Sequence, residues 1–160
     1  YEHPNAPGRL PTVGLSPEGA ERLCEERGAR LCSTEELALV CSSGRGDAFL
    51  GGGAQGFFSG ETLRRFQRQC NFGRTSGEGA RQLLPSGDSA QCRGDWAVYD
   101  LVGNANEWAS IPGEEALWAL VGADYRYDDL RLLTCGSYVL VPAPFLGYVD
   151  RRTLGARCCR

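Results

Sequence analysis

Cysteine is the residue type with the most chemistry to offer in this chain of 160 residues, which contains eight of them. They are spread over its whole length, at Cys24, Cys32, Cys41, Cys70, Cys92, Cys135, Cys158 and Cys159. Zinc sites use close pairs such as C-x2-C followed by a second pair, and no such pair occurs here. The even number therefore predicts disulfides and an extracytoplasmic or secreted location. Buried reduced cysteines are the alternative.

Two carboxylates flank a Gly-Asn turn in the segment 98–108, VYDLVGNANEW. A hard cation such as calcium prefers carboxylate oxygens together with the backbone carbonyls of a tight turn, so Asp100 and Glu107 are candidate ligands. The alternative is that Glu107 caps turn amides and that Asp100 is an ordinary solvated or hydrogen-bonded turn residue. The sequence contains no Ser-His-Asp arrangement, no phosphate loop and no carboxylate pair that indicates catalysis.

The segment 138–150, YVLVPAPFLGYVD, is the third candidate site. Prolines and a glycine interrupt any regular strand after Val141, which predicts that Phe145, Leu146 and Tyr148 lie on a loop. A surface loop that carries such residues is typical of a binding face for a protein or another surface molecule. The alternative is a core strand from Val139 to Val141 followed by a buried loop. The predicted ligand-binding residues are Tyr138, Val139, Leu140, Val141, Pro142, Pro144, Phe145, Leu146, Tyr148 and Asp150.

Two helices near the N terminus must position the first cysteines. Ser16 is a suitable N-cap for a helix that begins with Pro17, continues with apolar residues at helical spacing and stops at Gly28. Ser33 and Glu36 form a capping box that predicts the start of a second helix. A short third helix is predicted over residues 61–69.

Short β-compatible runs dominate the second half of the chain: WAVYDL, ALWALVG, LRLLTCGSYV and TLGARCC. Helices that precede strands predict an α+β protein with much ordered loop. The length favours a single domain over residues 1–160. No run of about 18 apolar residues is present, so the sequence predicts no membrane insertion.

The charge balance argues against nucleic acid as a partner. The 17 basic residues are all arginine and stand against 20 acidic ones, which gives a formal net charge of -3. A phosphate backbone attracts proteins through a positive field, and this chain has no net positive charge to supply one.

Four segments in this order resemble the sulfatase-modifying-factor family, to which the formylglycine-generating enzyme belongs. They are residues 20–41, residues 98–108, CGSY at 135–138 and GARCC at 155–159. The resemblance implies a C-type-lectin-like fold with two helices and small twisted antiparallel sheets. The N-terminal hairpin of the family is missing, which implies a domain excised from a longer chain.

The resemblance also implies that the enzymatic activity is absent. The formylglycine-generating enzyme holds copper(I) with two cysteines shortly after the CGSY position, and Leu140 stands where the first of them is expected. No cysteine lies between Cys135 and Cys158, so no thiolate can bind the cuprous ion there. A related branch uses a three-histidine iron site, which a chain with only His3 cannot form. We therefore predict no copper and no enzyme.

The same resemblance implies scaffold features. It implies a calcium site made by the side chains of Asp100 and Glu107 and the carbonyls of Gly103 and Ala105, and a weaker second site near residues 71–78. It implies a disulfide between Cys24 and Cys158. Cys41 with Cys135, Cys32 with Cys159 and Cys70 with Cys92 then complete one of several possible sets of pairs.

Variable proteins of diversity-generating retroelements share the C-type-lectin-like fold and diversify the residues that follow the CGSY position. The sequence therefore predicts a non-enzymatic binding module whose variable-type loop is the 138–150 segment. Two alternatives stay open at this point. One is an oxidoreductase with divergent cysteine chemistry at Cys158 and Cys159, and the other is a structural C-terminal module of a kinase or protease.

Overall fold

The structure is a computed structural model that describes residues 7–42, 69–73, 82–93, 98–126 and 136–160. Its helices and strands in chain order are α1 (Pro17–Glu25), β1 (Arg30–Leu31), α2 (Thr34–Ser42), β2 (Asn106–Ile111), β3 (Glu114–Val121), β4 (Tyr138–Pro142), β5 (Leu154–Ala156) and β6 (Cys158–Cys159). Two 3-10 helices, Ala143–Tyr148 and Arg151–Thr153, connect β4 to β5. The predicted α+β class is confirmed.

Both predicted helix starts are confirmed by their caps. The Ser16 hydroxyl accepts a hydrogen bond from the Gly19 amide at 3.1 Å, with Pro17 as the first helical residue. At the second helix the Ser33 amide donates to the Glu36 carboxylate at 2.9 Å, and the Glu36 amide donates to the Ser33 hydroxyl at 3.2 Å. These reciprocal bonds satisfy two amides that a helix N terminus otherwise leaves without partners. Of the third predicted helix, residues 61–68 lie outside the described residues.

The larger sheet has the strand order β4-β3-β2-β5. β2 and β3 form an antiparallel hairpin, β4 pairs antiparallel with β3, and β5 pairs parallel with β2. β1 and β6 form a separate two-stranded antiparallel sheet. The runs ALWALVG and TLGARCC are therefore strands as predicted.

One strand prediction was wrong in its position. The sequence placed a strand in WAVYDL, but its described residues, 98–101, lie in an irregular segment that reaches residue 105. Asp100 and Asn104 adopt positive φ values of 56° and 63°, which are incompatible with a strand. The strand begins instead at Asn106. From this residue on, successive side chains point to opposite faces of the sheet, so Trp108 is buried on one face and Ala109 on the other.

Each face of the sheet covers its own hydrophobic cluster. Trp108 packs with Ala20 and Cys24 of α1, and its indole nitrogen donates to the Leu15 carbonyl at 2.9 Å. Ala109 packs on the other face with Leu37 of α2. The central strand β2 is thus buried on both sides, and β4 lies at the rim of the sheet.

Three disulfides join pairs of described cysteines and brace this arrangement. Cys24–Cys158 joins α1 to β6 across 134 positions of sequence, which confirms the pairing implied by the family resemblance. Cys32–Cys159 and Cys70–Cys92 confirm two further pairs. Cys41 is also disulfide-bonded, and its predicted partner Cys135 lies outside the described residues. The disulfides indicate an oxidising environment.

A search of the described residues for a helix long and apolar enough to cross a membrane finds none.

Candidate functional site

The 138–150 segment exposes several large hydrophobic side chains. Within the described residues seven such side chains are exposed, and five of them lie between residues 138 and 148. We call these five the apolar face; they are Tyr138 (44% exposed), Val139 (39%), Leu140 (50%), Phe145 (58%) and Tyr148 (87%). An apolar surface of this density on one short segment is typical of an interaction site.

The local structure of this segment differs from the predicted loop. After β4 the chain turns at Pro142 and forms the 3-10 helix Ala143–Tyr148, with a proline in its first turn. Proline fixes its own φ near the helical value and has no amide to satisfy, so it is well suited to that position. The predicted core strand is also only partly realised, because Val141 alone of residues 138–141 is buried.

The other predicted binding residues have different surroundings. Val141 is 5% exposed and packs in the cluster around Trp108, so it supports the segment from below. Pro142 and Leu146 are half-buried, and Leu146 packs against the same cluster. Pro144 is exposed beside Phe145. The surface available to a ligand therefore consists mainly of the apolar face.

An arginine network fixes the C-terminal end of the segment. Arg126 donates to Asp150 at 2.8 Å, to the fully buried Asp124 at 2.9 Å and to the Thr153 hydroxyl at 2.7 Å. Thr153 in turn donates to Asp124. Hydrogen bonds from Arg152 and Arg126 hold the pKa of the exposed Asp150 carboxyl well below its usual range. Asp150 is thus bound to two arginines. Its carboxylate stabilises the end of the segment while it remains exposed at the surface.

A recess of about 250 Å³ lies beside this network. Val139, Leu120 and Val149 supply apolar walls, and Asp124 and Arg126 supply polar ones. Among the buried side-chain nitrogen and oxygen atoms of the described residues, Nε of Arg126 is the one without a hydrogen-bond partner. The recess therefore offers polar groups close to Val139 of the apolar face.

A second predicted site, the Asp100 turn (residues 98–107), is built on backbone in the left-handed region. Gly103 has φ of +83°, and a Cβ at this position would lie 1.8 Å from the Cys70 carbonyl oxygen, so only glycine fits. The Asn104 side chain donates to the Leu84 carbonyl at 3.0 Å, and its oxygen accepts from the Asn71 side chain at 2.9 Å. These contacts hold the turn against the segments around Cys70 and Leu84.

The Glu107 carboxylate lies in a buried ion pair with Arg157. The guanidinium donates to a Glu107 oxygen at 2.6 Å and to the Tyr99 carbonyl at 2.7 Å. Burial raises the pKa of the Glu107 carboxyl, and the neighbouring Arg157 opposes that rise. Burial likewise raises the pKa of the Asp100 carboxyl, which accepts a hydrogen bond from the Gly87 amide at 2.8 Å. Arg157 therefore supplies a positive charge to a pair of buried carboxylates.

Three of the four residues predicted to bind calcium already use an oxygen atom in another contact: Asp100, Gly103 and Glu107. Glu107 pairs with Arg157, and the Gly103 carbonyl accepts a hydrogen bond from the Ala105 amide at 2.8 Å. The described residues contain no group of three or more His, Cys, Asp or Glu side chains that could hold a metal ion. Among the described residues the structure therefore indicates no calcium ligand beyond the predicted Asp100, Gly103, Ala105 and Glu107. Calcium at this turn stays a prediction. At the weaker second site, Phe72 is fully buried and Glu78 lies outside the described residues.

The cysteines at the C terminus are structural in this fold. Cys158 and Cys159 each form a disulfide with a different partner, and the described cysteines include no free thiol. Leu140, where the family resemblance implies a cysteine in the enzyme, is half exposed on the apolar face. A thiolate is the reactive form of cysteine, so thiol chemistry at Cys158 or Cys159 requires prior reduction.

Sequence reasoning missed the two arginines that organise these sites. Arg126 and Arg157 meet acidic partners 24 and 50 positions away, and local charge patterns do not reveal such pairs. For Arg157 one signal was available: an isolated charge within an otherwise apolar C-terminal run, TLGARCC, must find a buried partner.

The fold resembles those of two solved structures. One is PvdO from Pseudomonas aeruginosa, with a TM-score of 0.61 and 16% identity over 92% of this chain and 60% of that protein. The other is Treponema denticola variable protein 1, with a TM-score of 0.50 and 16% identity over 79% of this chain and 45% of that protein. No protein-family model and no curated protein sequence matches the chain. The likeness is therefore one of fold, and this chain spans less than two thirds of either protein.

Proposed function

We propose that this chain is a non-enzymatic binding module of the C-type-lectin-like class, in which the 138–150 segment contacts a protein or another surface molecule. The observation that carries the proposal is the apolar face. Five large hydrophobic side chains are exposed together on a segment of eleven residues. Leaving them in water is unfavourable, and a partner that covers them recovers that free energy.

The surroundings of the face support a display role. One end of the segment is a strand anchored in the sheet through five residue pairs with β3, and the other end is held by Arg126 and Asp124. Val141 and Leu146 pack into the core beneath it. Such anchoring fixes the backbone, so that the exposed side chains can change without loss of the fold.

The likeness to Treponema denticola variable protein 1 supports the choice of scaffold class. It is consistent with a further proposal, that the 138–150 segment is a diversified one. An adjacent reverse transcriptase gene, with a near-copy of the 3′ coding sequence, is the genomic observation that tests this.

The disulfides support a secreted or extracytoplasmic setting for the proposed module. A substitution pair tests the binding role: Phe145→Ser with Tyr148→Ser. Both side chains are on the 3-10 helix and more than half exposed, so their loss leaves the fold intact.

The immobilised wild-type protein and this variant are each incubated with surface and secreted proteins of the source organism. Proteins retained by the wild type are then purified and titrated calorimetrically against both forms. We expect at least tenfold weaker binding by the variant. The control is Leu10→Ser with Leu39→Ser, which removes two exposed leucines elsewhere and should bind like the wild type. Equal binding by all three proteins contradicts the proposal.

A further inference from the structure

In the described part of the chain, the outer edge of β4 is protected by little more than Pro142 at its C-terminal end. β4 ends the strand order β4-β3-β2-β5, and in the described part of the chain it pairs with β3 alone. Edge strands expose a row of unpaired amides and carbonyls, and proteins normally block it with a charge, a bulge or a covering segment. The β4 sequence, YVLVP, carries no charge. Its five pairs with β3 run without a register shift, and the one irregularity of the sheet lies between Ser110 and Ile111.

The side chains of β4 are exposed on both faces of the sheet. Leu140 shares a face with Ala119, and Val139 shares the opposite face with Leu120, as their cross-strand pairing shows. Both remain open, at 50% and 39% exposed. The following 3-10 helix packs Leu146 into the same core cluster as Val141, but Val139 and Leu140 stay open. Among the described residues nothing pairs with the outer edge, so a further strand can approach it along the sheet.

The strand is self-complementary in the antiparallel sense. A twofold axis through Leu140 places Leu140 opposite its own copy, Val139 opposite Val141 and Tyr138 opposite Pro142. Every pair is apolar, and no pair brings like charges together. Cross-strand pairs of this kind stabilise an antiparallel ladder. Pro142, which has no amide to donate, falls at the two ends of the shared ladder, where the loss is smallest.

We propose that two copies of this chain associate edge to edge through β4, so that two four-stranded sheets become one continuous eight-stranded sheet. The occupant of the edge is thus a second copy of the same chain. A twofold contact of this kind closes on itself and produces a dimer, and eight strands is within the usual size of an open sheet. The association occupies the β4 part of the apolar face, Tyr138, Val139 and Leu140, and leaves Phe145 and Tyr148 on the adjacent 3-10 helix for the proposed binding role. The variant Phe145→Ser with Tyr148→Ser and the Leu140 variants therefore test the two proposals separately.

The test is the mass of the oxidised chain in solution. Sedimentation velocity over roughly 1 to 200 µM should show a shift from monomer to dimer, because association follows mass action. Leu140→Lys and Leu140→Glu should each remain monomeric over the whole range, since like charges would meet at the twofold axis. An equimolar mixture of the two variants should recover the dimer, because lysine then faces glutamate.

The matched control is Leu10→Lys, which puts the same charge on an exposed leucine outside the sheet and should dimerise like the wild type. Far-ultraviolet circular dichroism establishes that all variants are folded. A wild-type chain that stays monomeric at the highest concentration overturns the proposal, even if it binds an extended segment of another protein. Undiminished association of Leu140→Lys overturns it equally.

Discussion

The Asp100 turn and the 138–150 segment differ in which side chains they bury and which they expose. The turn buries charged and amide groups and gives them partners: Glu107 has Arg157, Asp100 has the Gly87 amide, and Asn104 has Asn71. The 138–150 segment leaves large apolar groups in water, above all Tyr148 and Phe145. A buried polar group is costly to disturb, whereas an exposed apolar group can be exchanged at little cost.

This difference indicates where the stability and the variability of the molecule lie. The turn is the meeting point of segments that are far apart in sequence, so a defect there affects the whole fold. The 138–150 segment is carried by that fold and contributes little to it through its exposed side chains. Perturbing each region should therefore separate a structural role from a binding role.

The largest expected effect is on the two neighbouring disulfides that tie the N-terminal helical region to β6. Replacing Cys24, Cys32, Cys158 and Cys159 together by serine should lower the free energy of unfolding by about 5 kcal/mol or more, because the two bonds jointly close one long loop in the unfolded chain. The same change at Cys70 and Cys92, which closes a loop of 22 positions, should cost about 3 kcal/mol. Urea unfolding of the oxidised proteins measures both. A larger loss for the short loop would contradict this account.

The next effect concerns the buried ion pair. Arg157→Ala leaves the Glu107 carboxylate buried without its partner and should cost about 3–5 kcal/mol in the same unfolding experiment. The double variant Arg157→Leu with Glu107→Gln removes both charges and should cost clearly less. If Arg157→Ala loses less than about 1 kcal/mol, the pair does not hold the turn.

Calcium at the Asp100 turn should have a smaller effect. On the calcium prediction, a chelator lowers the melting temperature by a few degrees, because a bound ion stabilises only the folded state. The gain is small because Glu107 already pairs with Arg157. The variant Asp100→Ala with Glu107→Ala should show no response to chelation. Identical melting curves of the wild type with calcium and with chelator would refute the prediction.

The smallest effect on stability is expected on the apolar face. Phe145→Ser with Tyr148→Ser should change the free energy of unfolding by no more than about 0.5 kcal/mol, although it removes binding. Val141→Ala, in the same segment but buried, should cost roughly 2 kcal/mol. Similar losses for the two variants would show that the face belongs to the core.

Several features were predictable because their causes are local or compositional. The Ser16 cap and the Ser33–Glu36 capping box each act within three residues, so the helix starts could be read directly. The α+β class followed from the order of helical and strand-like runs. The location of β2 was not predicted, because strand-compatible residues continue back through 98–101 and nothing local shows that Asp100 turns the chain.

The sequence by itself determined the even number of cysteines, the two capped helices and the absence of a cysteine at position 140. Tertiary structure alone decided that β4 is an edge strand and that Arg157 meets Glu107. In an all-apolar run such as YVLV, periodicity cannot distinguish an exposed strand from a buried one, since every position is hydrophobic. Likewise, an ion pair 50 positions apart in sequence arises from strand pairing, because β5 lies beside β2 and brings the two charges together.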